Sequence, residues 1–252
     1  DEWIGRDRHP VPFFALADSA FESRPARIGD VFSLFEWTDH MMSASANSAA
    51  STVWKEVMLM RAFGDAYPPT LEAEAAFFRD TPKSRLQELS LSVVNGPLRT
   101  AGIGIDDWQL GSFFTNTGQR IVPGTTSYAS PQGALLFLLR LEQGRIVDPW
   151  SSLEIKRLMY MTARRIRYAS SPALARAAVY FKSGSLFECH AEEGFRCGKY
   201  MGNVVNYMNS VAIVEHDAGP TYLVALMSNV LRKNSAVDHQ TLATQIDGIL
   251  RR

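Results

Sequence analysis

Two short stretches carry residue types at spacings that could do chemistry. They are Lys182-Ser183-Gly184, inside the run Tyr180-Phe181-Lys182-Ser183-Gly184-Ser185-Leu186, and Ser45-Ala46-Asn47 far upstream of it. A lysine on a strand edge, followed by a hydroxyl and a glycine, presents positive charge and bare backbone to an anionic or carbonyl-bearing substrate. Each stretch also has an ordinary reading. Ser45 and Asn47 in a Ser/Ala-rich turn suit helix capping, Lys182 suits a solvated charge on an edge strand, and Gly184 suits a bulge. Their order along the chain and the elements around them decide between the readings.

Those elements follow from periodicity and punctuation. Residues 1–27 read as loop with a short helix around Phe13–Phe21. Asp30 is placed to cap a helix whose apolar residues Val31, Leu34, Phe35, Met41 and Met42 recur at three and four, and the turn Ser43–Asn47 follows. A second helix runs from about Ala49 to Phe63, Pro68-Pro69 breaks the chain, and helices follow over Leu71–Phe78 and Pro82–Val94. The Gly/Thr/Asn-rich stretch Asn95–Tyr128 reads as a structured loop near a site. Ser130-Pro131 opens an apolar helix that stops at Gly144, and another helix spans Ser151 to about Arg164. Ala178–Lys182, Tyr207–Glu215 and Tyr222–Asn229 read as strands, with Asp217-Ala218-Gly219-Pro220 as a hairpin turn. Ser235 caps a last helix through Leu250. Helices followed by antiparallel strands and a terminal helix give the α+β class.

Composition removes several kinds of function. Lys and Arg number 26 against 26 Asp and Glu, which takes away the electrostatic case for nucleic acid or an anionic membrane surface. No apolar run reaches the ~20 residues of a membrane span. Cys189 and Cys197 flank a short loop holding Glu192, Glu193 and Gly194, which reads either as a disulfide of an oxidising compartment or as two unlinked thiols. His190 adjoins Cys189 without a second ligand pair at zinc spacing, so no metal is expected. His9, His40, His216 and His239 are scattered, and neither His-Glu-x-x-His nor Gly-x-Ser-x-Gly occurs. Gly102-Ile103-Gly104 lacks the third glycine of a dinucleotide fingerprint.

With its elements in this order, the chain resembles the serine β-lactamase and penicillin-binding protein superfamily. Ser45-Ala46-Asn47, continuing as Ser48-Ala49-Ala50 after an amphipathic helix, looks like the family's Ser-x-Asn loop. Lys182-Ser183-Gly184 looks like its Lys-Thr/Ser-Gly box. Ser130-Pro131 leading to Leu135–Leu139 and Gly144 is similar to the family's helix-plus-glycine stretch, and Asn209-Ser210-Val211-Ala212-Ile213 to the strand after the box. The resemblance covers about Ile28 to Leu250.

The resemblance implies acyl transfer with two catalytic residues here, Ser45 and Lys182. Ser45 would relay a proton to the leaving nitrogen while hydrogen-bonded to Lys182, whose ammonium would attract a substrate carboxylate. Asn47 would hold the substrate's amide side chain, and the Ser183 hydroxyl would bind its carboxylate. Gly184 would let substrate approach the strand, and the Ser185 backbone N–H would supply half of an oxyanion hole. No cofactor is implied. The substrate class is a β-lactam or a cell-wall peptide, and the location periplasmic or secreted.

The chain also departs from the family. No Ser-x-x-Lys occurs in it, and only 44 residues precede Ser45. The expectation is therefore a β-lactamase/transpeptidase-like domain over residues 1–252 that forms the C-terminal portion of a longer protein. An N-terminal segment would supply the nucleophilic serine and the first strands of the sheet. A helical lobe is expected over about 28–145, and the sheet with its terminal helix over about 146–252. The family's deacylating Glu-Leu-Asn has Gln87-Glu88-Leu89-Ser90 as its nearest approximation, and a strand position often arginine falls near Met208. The alternative is a non-catalytic relative that binds a cell-wall peptide or a protein partner through the Asn95–Tyr128 loop.

Overall fold

The computed structural model describes Trp3, residues 7–15 and residues 19–252. The chain divides into two compact units, Asp1–Ser130 and Pro131–Arg252.

The first unit opens with a β-hairpin where the sequence suggested loop and a short helix. β1 (Pro10–Ala15) pairs antiparallel with β2 (Ala20–Pro25), placing Phe14 opposite Phe21. Those two rings touch at 5.1 Å between centroids, and the Arg24 guanidinium lies 4.0 Å from the Phe13 ring centre. Cross-strand contact of this kind stabilises a hairpin without the polar alternation that normally announces one. α1 (Leu34–Met42) begins three residues later than Asp30 would have it. Ser33 and Glu36 form a reciprocal capping box, whereas Asp30 is engaged by Arg24 through two 2.8 Å bonds.

α2 (Asn47–Phe63), α3 (Leu71–Asp80) and α4 (Lys83–Thr100) build the unit's main core. Trp54, Met58 and Leu59 of α2 pack against Phe78, Leu86 and Val93, with Phe113 stacked on Trp54 at 4.6 Å. Lys55, buried on α2, is ion-paired to Glu56 at 3.0 Å and to Glu74 of α3 at 2.8 Å. α4 continues past Val94 through Asn95, Gly96 and Pro97, six residues further than expected. The Asn95 amide holds the following loop, accepting from Leu110 N at 2.9 Å and donating to Leu110 O at 2.8 Å. That loop is structured. It contains β3 (Trp108–Gln109) paired with β4 (Tyr128–Ala129), and α5 (Asn116–Ile121) capped by Thr115. Gly111 is required in it, because a Cβ there would stand 2.4 Å from Thr125 O.

The second unit begins with α6 (Pro131–Glu142) and α7 (Pro149–Tyr160), the latter capped by Asp148 and ending four residues before Arg164. α6 lies in the same unit as the sheet. The sheet is antiparallel, in the order β5 (Ala177–Glu188), β6 (Val205–His216), β7 (Thr221–Asn229). β5 is six residues longer at its C-terminal end than the sequence suggested. α8 (Ala236–Leu250) closes the chain. Ser235 holds the cap position, but its hydroxyl goes to the Met208 sulfur at 3.4 Å, and Asn234 accepts from Ala236 N instead.

Alternation along the strands sorts their side chains between two helical layers. Val179 and Phe181 of β5, with Ala212, Val214 and Val224, pack against Ala243 and Ile246 of α8. Tyr180 and Glu215 point the other way and meet α7, where Tyr160 lies 5.5 Å from Tyr180 and Lys156 pairs with Glu215. His216 and Tyr222 both reach Asp247 of α8, at 2.7 and 3.0 Å, and tie the hairpin end to that helix. No helix among the described residues is long and apolar enough to cross a membrane.

Candidate active site

β5 carries Lys182-Ser183-Gly184 in mid-strand. Register runs unbroken through Lys182↔Val211, Ser183↔Ser210, Gly184↔Asn209 and Ser185↔Met208, so Gly184 marks no bulge. A Cβ built on Gly184 would meet no heavy atom within 4 Å, which leaves an open strip of strand beside the lysine. Lys182 is half-buried, and its Nζ donates to Ser183 O at 3.1 Å. Burial pulls its ammonium down to about 8, because the surrounding protein solvates the charge less well than water does. The group is therefore cationic at neutral pH and close to losing its proton.

Neighbouring segments fix the strand at this point. The Thr162 hydroxyl, just past the end of α7, donates to Phe181 O at 2.6 Å. Arg167 supports the box from beneath. Its guanidinium donates from Nη1 to Gly184 O at 2.9 Å and to Asn209 O at 3.2 Å, joining β5 to β6. Arg167 is 3 % exposed and its backbone has φ +53°, a conformation L-residues adopt at a cost. No carboxylate pairs with it among the described residues, and burial lowers its pKa. Sequence reasoning did not find this residue, since it sits in a non-periodic arginine-rich connection where no spacing rule singles it out. Beyond the box, Cys189 and Cys197 are joined in a disulfide. Asn203 closes the loop around it through bonds of 2.8 and 3.0 Å to the His190 backbone.

The Ser-x-Asn residues lie in the first unit, in the turn between α1 and α2. Ser45 has φ +57°, and Ala46 N donates to His40 O at 3.0 Å. Ala46 is the N-cap of α2 and Asn47 its first residue. Capping therefore does not explain Ser45 and Asn47, because the cap position falls on the alanine between them. Asn47 is exposed and Ser45 half-buried. The helix receives its cap from elsewhere: Asp7 Oδ2 accepts from Ser48 N at 2.7 Å and from Ser48 Oγ at 2.9 Å.

Gln87-Glu88-Leu89-Ser90 lies inside α4, not in a loop, and exposed Glu88 is ion-paired to Arg85 one helical turn away. The loop that follows α4 begins at residue 101. Met208 is fully buried, with the Ser235 hydroxyl on its sulfur.

No protein-family model matches the chain, and no curated protein matches it in sequence. Solved structures do. A β-lactamase from Sphaerobacter thermophilus DSM 20745 matches with TM-score 0.57 at 17% identity, covering 89% of this chain and 66% of its own. A PBP-A mutant in its acyl-enzyme complex with penicillin G matches with TM-score 0.55 at 13% identity, covering 89% and 64%. A class A β-lactamase representative from Bacteroides cellulosilyticus DSM 14838 matches with TM-score 0.54 at 14% identity, covering 95% and 68%. The chain spans about two thirds of the length of these structures. At such identities the likeness is one of fold, and it agrees with the helical first unit, the antiparallel sheet and the helices on its two faces. The chain has the serine β-lactamase/transpeptidase fold.

Proposed function

We propose that this chain is part of a serine hydrolase of the β-lactamase or penicillin-binding type, which cleaves an amide or ester through an acyl-enzyme. The observation that carries the reading is the Lys182-Ser183-Gly184 box. It combines a half-buried lysine with its ammonium near 8, a hydroxyl one residue on, and open backbone at Gly184. Lys182 supplies positive charge to a substrate carboxylate, Ser183 a hydroxyl to the same group, and the Ser185 N–H a donor to the developing oxyanion. Ser45 passes a proton to the leaving group and Asn47 holds the substrate's amide. The attacking serine lies outside residues 1–252, which contain no Ser-x-x-Lys. A disulfide fits an oxidising compartment, and so a periplasmic or secreted location.

Incubation of the full-length gene product with a fluorescent penicillin tests the reading. Covalent labelling of a serine is expected, and neither labelling nor turnover of any amide or ester would overturn it. Gly184→Ala separates site from scaffold. With no neighbour to meet the added Cβ, the variant should be as stable as its parent or gain about 0.5 kcal/mol, since strand glycine is costly. Its labelling should nonetheless slow by roughly tenfold, because the methyl stands where substrate approaches. An unchanged rate would show that substrate does not approach the strand there.

The missing Ser-x-x-Lys favours one second reading, a non-catalytic relative that binds a cell-wall peptide or a protein partner. It predicts saturable binding with no covalent adduct.

A further inference from the structure

We infer that Asp7 is a positioning residue for the Ser45–Asn47 turn, and that residues 7–9, just before β1, thereby set the geometry of that turn. The inference rests on the acyl-transfer reading. α2 begins at Asn47, and its own cap residue, Ala46, has no side chain able to accept from the helix's free N–H groups. α1, α3, α5 and α7 are each capped by the residue directly before them, Ser33, Thr70, Thr115 and Asp148. α2 instead takes its cap from 41 residues upstream, through the two Ser48 bonds to Asp7 Oδ2. The other carboxylate oxygen accepts from His9 N at 3.0 Å and sits 2.6 Å from His9 Nδ1. The carboxylate is 2 % exposed and Ser48 1 %, so water does not replace these contacts.

What the clamp holds is strained. Ser45, three residues before Ser48, sits at φ +57°, where a serine persists only if its surroundings over-determine it. Two anchors bracket the turn, Ala46 N on His40 O and Ser48 on Asp7. With Asp7 gone, the helix end frays and Ser45 can relax to right-handed φ, which moves Oγ and the Asn47 side chain together. A capping residue at position 46 would stabilise α2 equally well but would tie the turn to nothing outside it. Asp7 ties it to His9 and so to the start of β1.

The test uses Asp7→Ala, Asp7→Asn and Ser48→Ala in the full-length protein, and reads labelling by fluorescent penicillin beside amide hydrogen exchange. In Asp7→Ala the labelling rate constant should fall about tenfold or more, the scale expected when a catalytic group is displaced by less than an ångström. Exchange over residues 44–49 should rise by a similar factor, with β5–β7 unchanged. Asp7→Asn keeps an oxygen for Ser48 and should stay within about threefold of wild type, and Ser48→Ala, which keeps the N–H bond, should fall between. A merely structural Asp7 would lower the labelled amplitude, which counts folded molecules, and leave the rate constant alone; that result overturns the inference. Unchanged exchange at 44–49 overturns it as well, including where Asp7→Ala folds poorly and Asp7→Asn and Ser48→Ala are compared instead. If no penicillin labels the unsubstituted protein, the acyl-transfer reading fails, while exchange still decides whether Asp7 holds the turn.

Discussion

Lys182→Ala should slow acylation of the full-length protein by about a hundredfold or more, the usual cost of removing one well-placed electrostatic contact from an acyl-transfer site, and should leave it folded. Folding survives because the lysine's charge is a burden to the native state: burial has pulled its ammonium down to about 8. The same fact fixes the pH response. Below 8 the group is an ammonium and draws a substrate carboxylate; as pH rises through 8 it becomes a neutral amine and that attraction disappears. kcat/KM for carboxylate-bearing substrates should therefore fall on the alkaline side with a midpoint near 8. Lys182→Arg cannot lose its proton in this range and should flatten that limb, even if its bulk lowers the plateau. A wild-type profile that stays level to about pH 9.5 would remove Lys182 from substrate binding.

Arg167→Ala should cost about 2 kcal/mol of stability, read as a lower denaturant midpoint, with the damage centred on the β5–β6 pairing under Gly184. Two effects oppose each other. Losing the guanidinium removes two charge-assisted hydrogen bonds, to Gly184 O and Asn209 O, each worth about 1.5–3 kcal/mol. Against this, the guanidinium is buried without a carboxylate partner among the described residues, and its removal recovers desolvation free energy. The hydrogen bonds should win because the charge already has carbonyl oxygens and the Tyr200 ring, 5.3 Å away, as partners. Backbone strain gives an internal control. At φ +53° alanine is as strained as arginine and glycine is not, so Arg167→Gly should be more stable than Arg167→Ala by about 1 kcal/mol. An Arg167→Ala protein more stable than wild type would mean that desolvation dominates.

The legible parts of this fold were those whose signal is local. β5, β6 and β7 announced themselves by apolar runs separated by turn residues, and Ser130-Pro131 and Gly144 bracketed α6 as expected. The hairpin β1–β2 did not, because Phe14 and Phe21 pair with each other on an exposed face and give no alternation to read. The start of α1 falls at Ser33 and not at Asp30 as the sequence suggested. Only Ser33 has a glutamate three residues on, and Arg24 claims Asp30 through a contact that sequence separation hides. α4 outran Pro97 because a proline near the end of a helix gives up one bond, while Asn95 is anchored to Leu110. Of the residues discussed for the proposed site, those inside short motifs are readable as local strings. Arg167 and Asp7 are not, since each acts on a backbone far from it in sequence: Arg167 on Gly184 and Asn209, Asp7 on Ser48.

The most direct test of acyl transfer through the Lys182 box is time-resolved intact-mass measurement of the full-length gene product mixed with a β-lactam, in parallel with its Lys182→Ala variant. The expected result is one covalent adduct per molecule on a serine outside residues 1–252, forming at least about a hundredfold more slowly in the variant. An absence of any adduct, or equal rates in the two proteins, would contradict it.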